Sequence, residues 1–480
     1  MFGIRLDPAS YLSITAQLCQ QVRQNIENGE FGEGLRLPPT RKLAAEFGIA
    51  RNVVIDAYEQ LIAEGYLIGQ AGSGTYVAGG IQQSPAGAAD EKQLDVEGLT
   101  EDSTPPLPEG LIDFEIGTPD LRQFPRQLWA KYLKEAAEMM PSASFDYGDI
   151  RGEKTLRLEI SAYLHRTRGM RCHPAQIMIV SGSSEGFTLI AQALRDSFDG
   201  VYLEDPTIEF TQHIFRRAGY RISPVAVDGT GMKLHELPAW EPGHLMLLTP
   251  SHQFPGGGIL SIQRRQQAIR LAEEAGAYLI EDDYDGDFRL KGVPIPPLQA
   301  LSPDRVIYVG TFSKTLAPGL RLGFLVLPRH LVNPVADLRE SLNLRTPSIP
   351  QVALARFMQD GRLDRHIHKM KKLYRQRRQL LIEALKQHFG DRVLVQGDEA
   401  GMHLQVQIAG LPVGIDWSNA QAHGVRVYSV EDYCLIKGNY TRHILLGYGN
   451  LPEENIEPGI ERLRRFIEET AAGASFQLPN

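Results

Sequence analysis

The sequence predicts an α/β protein in two parts: a small helical head with a two-stranded wing, and a large domain of alternating strands and helices. Three observations carry that expectation. Apolar residues recur at helical spacing through the first eighty residues. From residue 112 onward, short apolar runs alternate with helical stretches. Between the two, residues 80–111 hold Pro85, Pro105, Pro106 and Pro108, with seven acidic residues against one basic one. That composition buries too little apolar surface to fold and reads as a linker. The 480 residues fit two or three domains, and the divisions fall at 1–79, 80–111 and 112–480.

In the head, residues 10–28 place Ile14, Leu18, Val22 and Ile26 on one helical face, and Gly29 and Gly32 stop the helix. Thr40 is placed to cap a short helix carrying Leu43, Ala44 and Phe47, which Gly48 ends. A second helix, about 50–64, buries Val54, Tyr58 and Leu61 and turns Arg51, Asn52 and Ile55 outward. Tyr66–Ile68 and Thr75–Val77 read as the two strands of a wing around a glycine-rich turn. Two short helices joined by a tight turn fit the helix-turn-helix unit, whose second helix enters the DNA major groove. Arg41, Arg51 and Asn52 are then the groove-side donors, with the wing tip Gly72–Gly74 near the DNA backbone. A three-helix subdomain with a merely solvated polar face is the alternative. Charge does not separate the two, because residues 1–79 carry six basic and eight acidic side chains.

The wording of the segment says more. Leu37-Pro-Pro-Thr-Arg-Lys-Leu-Ala44, Ala57-Tyr-Glu-Gln-Leu-Ile-Ala-Glu-Gly-Tyr-Leu67 and Gly72-Ser-Gly-Thr-Tyr-Val77 closely resemble the winged helix of GntR-type bacterial regulators. The resemblance implies binding to double-stranded operator DNA through Arg41, Arg51 and Asn52, with Gly74 in the wing. Val53 and Val54 stand where that family often carries threonine or another polar residue.

The net charge of −8 divides unevenly: −2 in residues 1–79, −6 in residues 80–111 and zero in the remainder. No apolar run approaches the ~18 residues of a membrane span. The N-terminus lacks a basic segment followed by an apolar one, so a cytoplasmic protein is expected. Cys19, Cys172 and Cys434 lie far apart, which suits a reducing compartment and offers no metal site.

Candidate strands of the large domain are Gln176–Val180, Val201–Glu204, Leu245–Thr249, Ala277–Glu281 and Val306–Val309. Ligands of open α/β sheets sit beyond the carboxyl ends of strands. The first of these ends runs into Ser181-Gly-Ser-Ser-Glu-Gly186 and a helix, whose free N–H groups suit a phosphate. The fourth runs into Asp282-Asp-Tyr284, and the fifth into Gly310-Thr-Phe-Ser-Lys-Thr315 and Pro318-Gly-Leu-Arg-Leu-Gly323. Together these ends supply the parts that hold pyridoxal phosphate. A lysine bonds the aldehyde, a carboxylate keeps the pyridine nitrogen protonated, a tyrosine reaches the phenolate oxygen, and hydroxyls with an arginine neutralise the phosphate. Lys314 alone would read as an ordinary surface lysine; Asp282, Tyr284, Arg321 and the Ser183–Ser184 turn at neighbouring strand ends make that reading poor.

Ser313-Lys-Thr-Leu-Ala-Pro-Gly-Leu-Arg-Leu-Gly323, Glu281-Asp-Asp-Tyr284, Tyr147-Gly-Asp-Ile-Arg-Gly152 and Phe114-Glu-Ile-Gly-Thr-Pro119 resemble fold-type I aminotransferases. A GntR-like winged helix joined to such a domain is similar to the MocR subfamily of transcription regulators. The resemblance implies pyridoxal 5'-phosphate bonded by Lys314, with Asp282 at the pyridine nitrogen, Tyr284 at the phenolate oxygen and Arg321 at the phosphate. Ser183, Ser184, Thr311 and Ser313 complete the phosphate site, and a homodimer is expected.

Three departures stand out. Phe254-Pro-Gly-Gly257 occupies the usual Asn-Pro-x-Gly, which leaves His252 or Gln253 to replace the amide at the phenolate oxygen. Glu204-Asp-Pro-Thr-Ile208 puts an aliphatic side chain where a tyrosine is common. The arginine that grips an amino-acid carboxylate falls by pattern at Leu445, while Arg442 points to the opposite face of its strand. No residue is therefore assigned a catalytic role. The reading is a DNA-binding regulator that senses a small-molecule effector, an amine, an amino acid or the cofactor itself; a working aminotransferase with a DNA-binding head is the alternative.

Overall fold

The computed structural model describes residues 3–81 and 108–475, apart from residues 9, 11, 71, 238–239, 293–294, 343–344 and 412–414 and the side chains of 143 and 472–475. The chain divides into two compact units, Met1–Leu107 and Pro108–Asn480. Most of the expected linker, residues 82–107, lies outside the described residues. Its flanks join the units: Ile81 packs on the head's core and the carbonyl of Gly110 accepts from Arg462 at 2.6 Å.

The head holds α1 (Ile14–Glu27), α2 (Thr40–Phe47), α3 (Arg51–Ala63) and the hairpin β1 (Leu67–Gln70) and β2 (Gly74–Val77). The apolar faces read from the sequence meet in one core, where Leu18, Val54 and Leu61 are fully buried. Each such side chain contributes about 1.5–3 kcal/mol. Gly48 ends α2 in the left-handed region at φ +64°, where a side chain would be strained. One sequence expectation needs correction. Pro39 occupies the N-cap of α2, and Thr40 is its first helical residue; the Thr40 hydroxyl instead accepts from Arg51 Nε at 3.3 Å.

The large unit opens with β3 (Ile112–Asp113), α4 (Arg126–Met139) and α5 (Lys154–Arg168). Next come β4 (Ile177–Val180), α6 (Ser183–Ala193), β5 (Gly200–Asp205), α7 (Glu209–Arg217), β6 (Arg221–Asp228) and β7 (Gly231–Met232). Then follow β8 (His244–Leu248), α8 (Ile262–Glu274), β9 (Leu279–Asp283), α9 (Leu298–Leu301), β10 (Val306–Thr311) and β11 (Gly323–Val326). Strands β4 to β11 form one eight-stranded sheet in the order β4-β11-β10-β9-β8-β5-β6-β7, and β3 pairs elsewhere. Strands β10, β9, β8, β5 and β6 run parallel, whereas β11 is antiparallel to both its neighbours, so β4 runs with the parallel set. Strands β5, β8 and β10 are buried along their whole length, as a sheet covered on both faces requires. Leu245 and Leu247 enter one core with α6 and α10 (Val332–Leu342), while Met246 and Leu248 enter another with α8.

Helices α11 (Ser348–Gln359) and α12 (Arg362–Phe389) lead to β12 (Val393–Gln396), β13 (His403–Ile408), β14 (Val425–Arg426), β15 (Tyr428–Ser429), β16 (His443–Gly447) and α13 (Ile456–Ser475). Strands β12, β13, β16 and β15 make a second, antiparallel sheet packed against α12 and α13. Among the described residues, no helix is long and apolar enough to cross a membrane. With β4, β9 and β10 running the same way, their carboxyl ends open at one edge of the large sheet. The motif-bearing loops follow those ends.

Candidate functional site

A cavity of about 320 Å³ lies at these strand ends. All eight residues expected to hold the cofactor line it: Ser183 and Ser184 after β4, Asp282 and Tyr284 at the end of β9, and Thr311, Ser313, Lys314 and Arg321 after β10. Strand β9 extends two residues beyond the expected run, so Asp282 sits in the ladder opposite Val309 rather than in a loop.

Lys314 donates from Nζ to the carbonyl of Gly117 at 2.5 Å. Gly117 holds φ +83°, and a Cβ there would lie 2.8 Å from Nζ, so glycine keeps the ammonium's place open. Burial pushes the Lys314 pKa down, against the pull of Asp285 and Asp282. Asp282 is buried, and its Oδ1 has no hydrogen-bond partner among the described residues. Burial, then the like charges of Asp283 and Asp285, push its pKa well above the ordinary carboxylate range. A buried, unsatisfied carboxylate oxygen is costly by itself, and a protonated ring nitrogen fits such an oxygen.

The end of the cavity at α6 is built from small residues and donors. Helix α6 begins after Gly182, with no side chain capping its first N–H groups, which leaves a helix N-terminus suited to an anion. Gly182 has φ +91°, and a Cβ there would meet Arg321 Nη2 at 2.9 Å. Arg321 itself takes the left-handed conformation at φ +49°, the only non-glycine residue to do so among those described. Thr311 donates to Ser313 Oγ at 3.0 Å and accepts from the Ser313 amide at 3.1 Å.

The departures from the aminotransferase pattern have consequences here. Neither His252 nor Gln253 lines the cavity. Gln253 spends its side-chain amide on the carbonyls of Pro206 and Phe254. His252 lies behind the cavity wall, with Nδ1 at 2.8 Å from Asp285 and 3.1 Å from the Tyr284 hydroxyl. Phe254 and Ile208 line the cavity as apolar walls, and Leu445 is fully buried among Phe254, Tyr284 and Val430. Arg442 is exposed, but it lies in the turn before β16 rather than in the strand, so the expected alternation does not set its direction. Among the lining residues that escaped the sequence reading are Asp285, flagged only by its place beside Tyr284, and His403, held at 3.2 Å from the Pro255 carbonyl. Burial pushes the His403 pKa down to about 4, which keeps that ring neutral.

In the head, Arg41, Arg51, Asn52 and Gly74 are all exposed, the first three on α2 and the first turn of α3. The wing adds an arginine that was not foreseen. Arg36 bridges Tyr76 of β2, lies 5.9 Å over its ring and leaves no room for a Cβ at Gly74, where one would sit 2.9 Å from its Nε. Pairing between distant segments has no local signature, so periodicity does not show it.

A winged-helix DNA reader and an aminotransferase-like domain with a pyridoxal phosphate donor set thus share one chain. Residues 14–77 match the bacterial regulatory proteins of the gntR family, and residues 109–426 match aminotransferase class I and II. Similar along their whole length are an HTH-type transcriptional regulator of Bacillus subtilis, YhdI, at 34% identity over 96% of this chain and 97% of that one, and the probable rhizopine catabolism regulatory protein MocR of Rhizobium meliloti, at 31% over 98% and 97%. Among solved structures, the kynurenine aminotransferase of Pyrococcus horikoshii, solved with PMP, is 28% identical with a TM-score of 0.67, covering 80% of this chain and 95% of its own. The chain belongs to the HTH-type transcriptional regulators that carry a GntR winged helix and an aminotransferase class I and II domain. It is a DNA-binding regulator whose large domain binds pyridoxal phosphate.

Proposed function

We propose that this regulator senses a small ligand, either an amine or amino acid or pyridoxal phosphate itself, at the cavity of the large domain and transmits its state to the DNA-binding head. The observation that carries the reading is the cavity: Lys314 and the unpartnered oxygen of Asp282 converge there in a chain that also carries a DNA reader. When bound, pyridoxal phosphate supplies an aldehyde carbon that bonds amines and a ring that withdraws electrons from them. Lys314 would bond that carbon, and Asp282 would keep the ring nitrogen protonated. Tyr284 would donate to the phenolate oxygen. Arg321, Ser183, Ser184, Thr311 and Ser313 would hold the phosphate.

Arg41, Arg51 and Asn52 would read the operator, with the wing near its backbone at Gly74. Helix-turn-helix readers bind repeated half-sites as dimers, which favours a cytoplasmic homodimer with residues 1–79 and 112–480 as its working domains. A ligand shifts a two-state regulator only by its difference in affinity for the two states. Apolar Leu445 and Phe254, at the positions of the gripping arginine and the ring amide, favour a ligand held without rapid turnover.

Single-turnover spectroscopy of the cofactor-loaded protein with a panel of amino acids, run beside DNA-binding assays, tests the reading. The expected result is a spectral change that alters DNA affinity without sustained product. Continuous keto-acid production at about 1–10³ per second with unchanged DNA affinity would instead establish a working aminotransferase.

A further inference from the structure

A second cavity, of about 300 Å³, is walled by α5, α12 and the turn Gly286–Phe288, and it shares no lining residue with the cofactor cavity. Four cationic side chains face it, Arg166, Arg168, Arg289 and Lys371, against two carboxylates, Asp287 and Asp364. The carboxylates are spoken for. Asp364 accepts from Arg166 at 2.7 Å, and Asp287 accepts the Tyr163 hydroxyl, with burial pushing its pKa up.

The cations are only partly so: Arg166 is held by Asp364, but Arg168 and Arg289 each keep unbonded nitrogens. Arg289 has Nε and Nη1 buried without a partner, and only its Nη2 reaches Glu399, at 3.3 Å. Arg168, whose side chain is 4% exposed, has Nε buried and unpaired although its other nitrogens are engaged. Lys371 makes no hydrogen bond or ion pair among the described residues. Burial lowers its pKa, Asp287 raises it less, and Arg375 and Arg168 lower it further.

Buried N–H donors left unsatisfied cost about 1–3 kcal/mol each. Convergent guanidinium and ammonium donors match an oxyanion, whose several acceptor oxygens can satisfy them together. The cavity's volume is at the small end for ligand pockets. We propose that this cavity is a second anion site, taking a phosphate-sized oxyanion, either free phosphate or the phosphate of a small metabolite.

The site is wired to the cofactor loops through Arg168. Its Nη1 donates to the carbonyl of Gly286 at 3.0 Å, and its Nη2 binds Asp283 and donates to Ser251 Oγ at 3.1 Å. Ser251 precedes His252, and Asp283 and Gly286 bracket Tyr284 and Asp285. An anion that draws on the Arg168 guanidinium therefore bears on both loops that position the Tyr284 hydroxyl.

Equilibrium dialysis of the full-length, cofactor-loaded protein with labelled inorganic phosphate tests the proposal. The expected result is one phosphate bound per chain without loss of cofactor absorbance. Lys371→Gln and Arg289→Gln should each weaken it on the order of tenfold, as expected for one charge-assisted hydrogen bond removed. Lys369→Gln, at an exposed position on the same helix, and Arg51→Ala in the head should leave it unchanged. Tryptophan fluorescence checks that the large unit of each variant is folded, and folded Lys371→Gln alone suffices for the comparison. Glycerol phosphate displacing the label at lower concentration than phosphate identifies a phosphate ester as the occupant; weaker displacement identifies free phosphate. Absence of bound phosphate from the loaded wild type, or equal binding by the Lys371 and Arg289 variants, overturns the proposal.

Discussion

In the head, Arg41, Arg51 and Asn52 stand exposed on two short helices whose other faces bury Leu43 and Ala44 of α2 and Val54, Ala57 and Leu61 of α3. In the large unit two of the cavity's charged groups are drawn away from water, although Arg321 stays exposed: Asp282 is buried, and Lys314 and Asp282 both have pKa values displaced by burial. The contrast follows from what each must bind. A polyanionic duplex is met by solvated cations that displace its counterions, so the scaffold needs only to hold them outward. A small cofactor must be held and tuned electronically, and that requires charges whose solvation has been replaced by a fixed partner. Damage to the first should be graded and salt-dependent. Damage to the second should be all or none.

The largest expected effect is at Lys314. Lys314→Ala should abolish cofactor absorbance and borohydride-trapped labelling while the head keeps its basal DNA affinity, measured in the same preparation. Trapped adduct on another lysine would contradict the assignment.

Next comes the cost of burying acid. Burial pushes Glu204 and Glu281 up to about 7 from an ordinary 4.5. Carboxyls raised in this way stay protonated in the fold where the unfolded chain releases protons. The stability they contribute is complete below about 4.5 and is lost as pH rises to about 7. Glu204→Gln removes one such group, so the variant should gain on wild type across that window, by about 3 kcal/mol at its upper end. All three tryptophans, Trp129, Trp240 and Trp417, lie in the large unit, so their fluorescence reads its melting alone. The head behaves oppositely. Glu64, lowered by its bond to Arg23, supports folding at higher pH and loses that support as pH falls through its depressed value. A Glu204→Gln advantage that shrinks with rising pH would reverse the assigned sign.

Most of the cofactor site was legible because each residue lies within a few positions of a strand end and belongs to a short contiguous motif. What was not legible depends on side-chain direction or distant pairing. Gln253 and His252 are equal candidates for the ring amide until the loop after β8 turns one toward the carbonyls of Pro206 and Phe254 and the other toward Asp285. The same limit explains Arg36, placed on the wing by its bridge to Tyr76. The cap of α2 falls one position before Thr40 because Pro39, which cannot donate an N–H, takes that place without a side-chain bond. In the sheet, continuous apolar runs located β5, β8 and β10 closely, but the acidic end of β9 hid its last two residues.

Smaller effects belong to the reading surface. Arg41→Ala with Arg51→Ala should weaken specific duplex binding by about 1–3 kcal/mol for each base edge no longer read and flatten its salt dependence, with cofactor absorbance untouched. Unchanged affinity in a gel-shift series would remove these residues from the interface. The smallest effect is at the wing tip. Gly74→Ala forces a Cβ against Arg36 at φ +131°, which should cost about 1 kcal/mol in the head and nothing in the large unit.

If chemistry at Lys314 is felt by the DNA-binding head, DNA affinity must depend on an amine ligand in wild type and not in Lys314→Ala. Coupling between sites is reciprocal, so a ligand that changes DNA affinity must itself bind with affinity changed by the same factor when DNA is present. The decisive measurement is therefore DNA affinity with and without the amine in both proteins. Coupling predicts a shift, typically 5–150-fold, in wild type and none in Lys314→Ala. Equal DNA affinity in all four states, with the cofactor bound and the amine consumed by wild type, would contradict it.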